Sequence, residues 1–211
     1  MKFEKTNVYG FHEALKGMRN PLKSYNKADS ITSVAGNEHI GPNDYDLAKR
    51  LWRAGTEHRK WMRMVQVWVD ITAPRYFWSE FDTYNVGVSK NSESTMHKLK
   101  DESLDCGCVE FDWGQSKIAD KTMFVVLESL KNLQQMMNEA DSKDKDKYHR
   151  LMKALLPEGF LQKRTVNLNY EVLANMYHQR KNHRLPQWNK EFTEWVETLP
   201  YSEFITGKFD K

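Results

Sequence analysis

An α/β (α+β) fold with few strands and at least five helices is predicted by three patterns in this chain. Val65, Val67, Val69 and Ile71 alternate with Met64, Gln66, Trp68 and Asp70, a period of two rich in β-branched residues that marks a half-buried strand. Phe124, Leu127, Leu130, Leu133, Met136 and Met137 recur at helical spacing and mark a long helix from about Lys121 to Ala140. Between them Pro74 ends the strand and opens a helix holding Tyr76, Phe77, Trp78 and Phe81.

The other elements follow in chain order. Asn7-Val8-Tyr9-Gly10 reads as a strand and His12–Met18 as a short helix, after which residues 20–37 turn polar. Pro42-Asn43-Asp44 is a helix-start signal, with Leu47, Leu51 and Trp52 on one side of the helix that follows and Gly55 at its end. Residues 85–119, rich in Gly and Ser, read as loop. Asp141–Lys147 alternates charges and reads as an exposed turn before a helix at Tyr148–Leu156. A short loop then feeds a helix carrying Asn169, Asn175 and Arg180, and an amphipathic helix closes the chain.

Composition bounds the function. The 211 residues, 39% hydrophobic, suffice for one domain over residues 1–211 with a substantial core, and seven tryptophans argue for a folded chain. The 32 basic and 29 acidic residues are mixed along the sequence without a Lys/Arg stripe, so nucleic acid is not the expected partner. There is no membrane-length apolar run and no signal-peptide pattern at the start, which predicts a soluble cytoplasmic protein. Cys106 and Cys108 could supply two metal ligands, but only His97 stands near as a third, so two free thiols and no metal are expected.

Residues 153–199 carry the strongest functional pattern. If Asn169, Asn175 and Arg180 share one helix, Asn169 and Arg180 lie within about 20° of each other around its axis, with Asn175 off to the side. Leu168, Val172, Leu173, Met176 and Tyr177 would seat that helix. A guanidinium in line with an amide suits a planar anionic ligand, since guanidinium grips phosphate bidentately and amides read ring edges. An ordinary solvated helix face is the alternative.

The order Lys153-Ala154-Leu155-Leu156-Pro157, Asn169, Asn175, Arg180, Gln187-Trp188 resembles the C-terminal half of the flavin-dependent thymidylate synthases, the ThyX family. Glu57-His58, a strand, then Ala73-Pro74 and an aromatic run is similar to the lead-in to that family's signature, so the resemblance spans roughly residues 44–199. The signature reads Arg-His-Arg-x-x-Ser-x-Asn-Glu-x-Ser-x-Arg-Tyr. Here Thr83-Tyr84-Asn85 stands where Arg-His-Arg would, Ser89, Asn91 and Ser94 align after one inserted residue, Ser92 replaces the Glu, and Met96-His97 replaces Arg-Tyr. Each lost charge-assisted phosphate contact is worth roughly 1.5–3 kcal/mol.

The resemblance implies a ThyX-like fold, a small central sheet flanked by several helices, assembled as a homotetramer that binds a pyrimidine nucleotide. It assigns the nucleotide to Arg180, Lys153, Glu80, Ser89, Asn91 and Ser94, and FAD, a possible cofactor, to His58, Asn169, Asn175 and Tyr84. Trp78 and Tyr84 could stack on a base. Three functions follow from it: nucleotide modification or sequestration without flavin chemistry, a role that suits a phage-encoded relative; an active synthase converting dUMP to dTMP with FAD, NADPH and methylene-tetrahydrofolate; or a structural oligomer with no small-molecule site. The missing arginines favour the first.

Overall fold

The computed structural model describes residues 1–209. Strand β1 (Lys2–Tyr9) leads into helix α1 (Phe11–Met18), a two-stranded hairpin of β2 (Ile31–Thr32) and β3 (Glu38–His39), and helix α2 (Pro42–Arg53). Strand β4 (Gln66–Pro74) runs directly into α3 (Arg75–Phe81), followed by β5 (Val88–Ser92), α4 (Lys117–Glu139) and α5 (Ser142–Leu155). Strand β6 (Leu161–Asn169) passes without a loop into α6 (Tyr170–Arg180); a π-helical turn at Gln187–Phe192 and short helices α7 (Thr193–Glu197) and α8 (Glu203–Thr206) complete the fold. The sheet order is β1-β4-β6-β5.

Three expectations change. The loop before Asn169 is strand β6, in which Val166 and Leu168 are buried while Lys163, Thr165 and Asn167 alternate with them. Leu168 therefore belongs to the sheet and not to the α6 stripe. The loop at 85–119 contains β5, whose polar composition hid it, and the charged run at 141–147 is largely the first turns of α5. Solvent on one face lets charged residues occupy strand and helix positions without an apolar signature.

The chain divides into two compact units. One holds Met1–Lys2, Ile71–Tyr84 and Asn91–Arg164; the other holds Phe3–Asp70, Asn85–Lys90 and the chain from Thr165 onward. In the first, α4 and α5 form a hairpin around Leu99, Leu104, Leu130, Met137, Met152, Leu156 and Phe160. The α3 aromatics Phe77, Trp78 and Phe81 are fully buried in mutual ring contact, and Trp78 Nε1 donates to the Gln162 carbonyl at 2.9 Å, tying α3 to β6. Burying one such ring is worth about 1.5–3 kcal/mol.

The second unit is built on Val65, Val67 and Val69, all essentially inaccessible, together with aromatics from both chain ends. Phe11 meets Tyr170 edge-on at 5.2 Å, and Trp61 meets Phe204 at 4.8 Å. Asp44 and Arg19 are buried together: Arg19 Nε and Nη2 lie 2.7 and 2.6 Å from Asp44 Oδ1, while Asp44 Oδ2 accepts the backbone N–H of Ser30 and Asp29. Asp29 in turn accepts the N–H groups of Asn43 and Asp44 and so caps α2, the start of which the sequence marked correctly. Gly41 is required at this crossing, because a Cβ there would stand 2.3–2.4 Å from Asp29.

Burial alone would raise the Asp44 pKa, but the bonds from Ser30, Asp29 and Arg19 outweigh it and hold the group below the ordinary 3.8. A carboxylate depressed in the folded state adds stability that is complete above its unfolded pKa and disappears as pH falls through the folded one. Asp44→Asn should therefore flatten the acid limb of the pH–stability curve below about pH 4. Urea midpoints across pH 2–6 read this directly, and an unchanged acid limb would contradict it.

Candidate functional site

In the first unit the structure gathers cations around one turn. Ser94 Oγ accepts the Met96 N–H at 3.2 Å, and its carbonyl accepts from the N–H groups of His97 and Lys98 at 3.2 and 3.0 Å, so residues 94–98 form a tight turn just beyond β5. Lys153, in the last turn of α5, donates from Nζ to Thr95 Oγ1. His149, one turn earlier on α5, places Nε2 3.3 Å from the Thr95 carbonyl oxygen. Arg75, the first residue of α3, donates to the Leu156 carbonyl at 3.1 Å and lies 3.5 Å from Glu158.

Burial, and then the nearby Arg75 charge, hold the Lys153 ammonium below its usual pKa. An anion seated between the two cations would relieve that cost, as Glu158 already does for Arg75 at 3.5 Å. The hydroxyls of Ser94 and Thr95 add neutral donors to the same turn. This group has the chemistry of an oxyanion site, point charge plus hydroxyl donors.

Lys153 and Ser94 are thus brought to one place. Asn91 is exposed at the end of β5 in the same unit. Glu80 and Tyr84 are half-buried on and just after α3, with the Glu80 carbonyl accepting from Thr83 Oγ1 at 2.7 Å and the Tyr84 ring 6.5 Å from that of Phe81. Sequence reasoning missed Arg75, Thr95 and His149. Arg75 follows Ala73-Pro74 immediately, and a cation at the mouth of that strand–helix junction was the available signal. Thr95 and His149 are 54 residues apart and carried none.

The second unit holds the other candidates. Asn169 is the N-cap of α6, its side-chain oxygen accepting the Val172 N–H at 3.0 Å, so it stands at the strand–helix junction and the expected alignment with Arg180 on one helix face is lost. Gly87, at φ +72°, presses against it: a Cβ there would lie 3.0 Å from Asn169 Nδ2. Asn175 is exposed on α6, Ser89 is exposed on β5, and the Arg180 guanidinium stacks 4.7 Å above the Trp188 ring. His58 is exposed beside a cleft of about 320 Å³ walled by Met18, Pro21, Leu51, Trp61 and Met64.

Cys106 is exposed and Cys108 half-buried, both as free thiols in a 3₁₀ turn. Burial, then the charge of Asp105, pushes the Cys108 thiol up to about 11, which disfavours the thiolate a metal would need. Among the described residues no group of three or more His, Cys, Asp or Glu side chains could hold a metal ion, and no helix is long and apolar enough to cross a membrane.

No family model matches this sequence, and no curated protein does. Solved structures do match it in fold. Thymidylate synthase X from Helicobacter pylori, solved with FAD and dUMP, superposes with a TM-score of 0.70 at 16% identity, over 97% of this chain and 96% of that one. A second structure of the H. pylori flavin-dependent enzyme, complexed with FAD and dUMP, gives 0.67 at 17% identity over the same shares. The UMP/dUMP methylase PolB from Streptomyces cacaoi, bound with 5-Br dUMP, gives 0.56 at 12% identity, over 99% of this chain and 96% of that one. With helices around a small sheet, matched along nearly its whole length, this chain is a divergent polypeptide with the ThyX-like fold.

Proposed function

We propose that this protein binds a pyrimidine deoxynucleoside monophosphate, with the phosphate held by Lys153, Arg75 and the Ser94–Thr95 turn, and that it modifies or sequesters the nucleotide without flavin chemistry. The observation that carries the reading is the Lys153–Thr95 contact beside Arg75: a half-buried ammonium, its pKa depressed by burial and then by a neighbouring guanidinium, delivered to a serine–threonine turn. The dUMP and 5-Br dUMP in the structural neighbours supply the ligand class. In this reading Lys153 and Arg75 neutralise the dianion, the two hydroxyls orient it, and Glu80 and Asn91 are candidates for the sugar and base. Glu80 would accept hydrogen bonds from a ligand that offers donors. Arg180, Asn175 and His58 are separate candidates on the second unit, and the homotetramer implied by the resemblance belongs to the same proposal.

The residues at 82–85 do not fit the pyrophosphate of FAD. Thr83, Tyr84 and Asn85 bring no cation, and Asp82 brings a carboxylate. The nearby cation, Arg164, is already engaged with Asp82 at 2.9 and 3.1 Å and stacked 4.3 Å over Trp78. The reading therefore contains no flavin step.

Two titrations of the purified, ligand-stripped protein test it. Calorimetry should detect dUMP binding that Lys153→Met weakens. FAD should leave its own fluorescence unquenched. Absence of dUMP binding would remove the reading. FAD quenching that responds to dUMP would favour the active synthase, which methylates dUMP using methylene-tetrahydrofolate and NADPH.

A further inference from the structure

The phosphate group just described is one end of a longer cationic row. Lys145, His149 and Lys153 occupy successive turns along one side of α5, about 6 Å apart at 1.5 Å of rise per residue. His149 belongs to both ends: it contacts the Thr95 carbonyl beside Lys153, and it lines a cleft of about 300 Å³ with Met96, Lys100, Asn138, Lys145 and Asp146. That volume is at the lower limit for small-molecule sites. Two lysines face one aspartate there, so the cleft is net positive even with His149 neutral. Asn138 Nδ2 donates to the Lys100 carbonyl at 3.4 Å, which fixes the backbone from which the Lys100 side chain starts.

We propose that this cleft takes the outer phosphoryl groups of a nucleoside di- or triphosphate, so that the preferred ligand is a pyrimidine nucleotide with a polyphosphate tail. The inference rests on the assignment of Lys153 and Thr95 to the innermost phosphate. A triphosphate chain spans on the order of one helical turn, about 5.4 Å. Running from Lys153, it reaches His149, one turn away, and so enters the cleft that Lys145 and Lys100 also line. A monophosphate would leave those two lysines unused. The thioether of Met96, 61% exposed on the turn, lets the chain pass without offering a competing donor.

The test is calorimetric titration of the protein with dUMP, dUTP and inorganic tripolyphosphate, in EDTA, alongside the Lys100→Met/Lys145→Met double variant. Lys100 and Lys145 are exposed, so the variant keeps the fold. The expected result is dUTP binding at least about tenfold tighter than dUMP, with that advantage lost in the double variant and dUMP affinity unchanged. Equal affinity for dUMP and dUTP would overturn the inference and leave the monophosphate reading standing. An advantage that survives the double variant, or tripolyphosphate binding as tightly as dUTP, would overturn it too. Binding of none of the three would remove both readings together.

Discussion

Replacing Arg19 by methionine should cost about 3–5 kcal/mol of stability, the largest loss expected from any single substitution outside the aromatic core. The side chain is 4% exposed and Asp44 is 1% exposed, so the variant leaves a carboxylate with no cation and no water. Ser30 and Asp29 still donate to Oδ2, but Oδ1 has lost both guanidinium contacts. Domains are stable by only about 5–15 kcal/mol, so the variant should lose about 10 °C in melting temperature. Chemical denaturation would show the loss as a lower midpoint with an unchanged slope. A loss below about 1 kcal/mol would mean that the backbone donors alone satisfy the carboxylate, and that Arg19 only packs.

Lys153→Met should weaken dUMP binding by about 10- to 100-fold, the worth of one charge-assisted hydrogen bond of roughly 1.5–3 kcal/mol, while leaving the melting temperature nearly unchanged. Lys153→Arg should restore much of the affinity, because charge rather than shape is what the turn at Thr95 requires. The pH dependence has a definite sign. Lys153 loses its proton at lower pH than an ordinary lysine, because burial and Arg75 both disfavour the charged form. Affinity for dUMP should therefore be full at neutral pH and fall on the alkaline side, earlier in the native protein than in Lys153→Arg. Equal affinities for the native protein and Lys153→Met would remove Lys153 from the site and with it the argument for a phosphate at this turn.

How much was legible in the sequence depended on how far apart the cooperating residues lie. Strand β4 was visible because Val67, Val69 and Ile71 alternate on its buried side, with Val65 just before it, and α4 because apolar residues recur at helical spacing over about four turns. Strand β6 was not, since only Val166 and Leu168 mark its period among Lys163, Arg164, Thr165 and Asn167. That one omission moved Asn169 from a strand end into a helix and produced an alignment with Arg180 that the cap geometry removes. Within the site, the resemblance named Lys153 and Ser94 as nucleotide candidates, and the structure brings them near each other through a contact to Thr95, 58 residues from Lys153, which carried no sequence signal. Arg19 and Asp44 had no local signature at all: 25 residues separate them, and each reads as an ordinary surface charge.

Strand β4 has one more consequence, and it concerns the ribosome. Its neighbour β1 is made before it, but its other neighbour β6 comes late: the bond from Asn167 Nδ2 to the Val67 carbonyl joins residues 100 apart. At about 5–20 residues per second, the valine-rich strand waits roughly 5–20 s with one edge unsatisfied. Such a strand, uncharged on its inner side, is a template for pairing between nascent chains. Yield of soluble protein should therefore rise with chaperone supply and fall as translation slows, more than it follows the stability of the finished molecule.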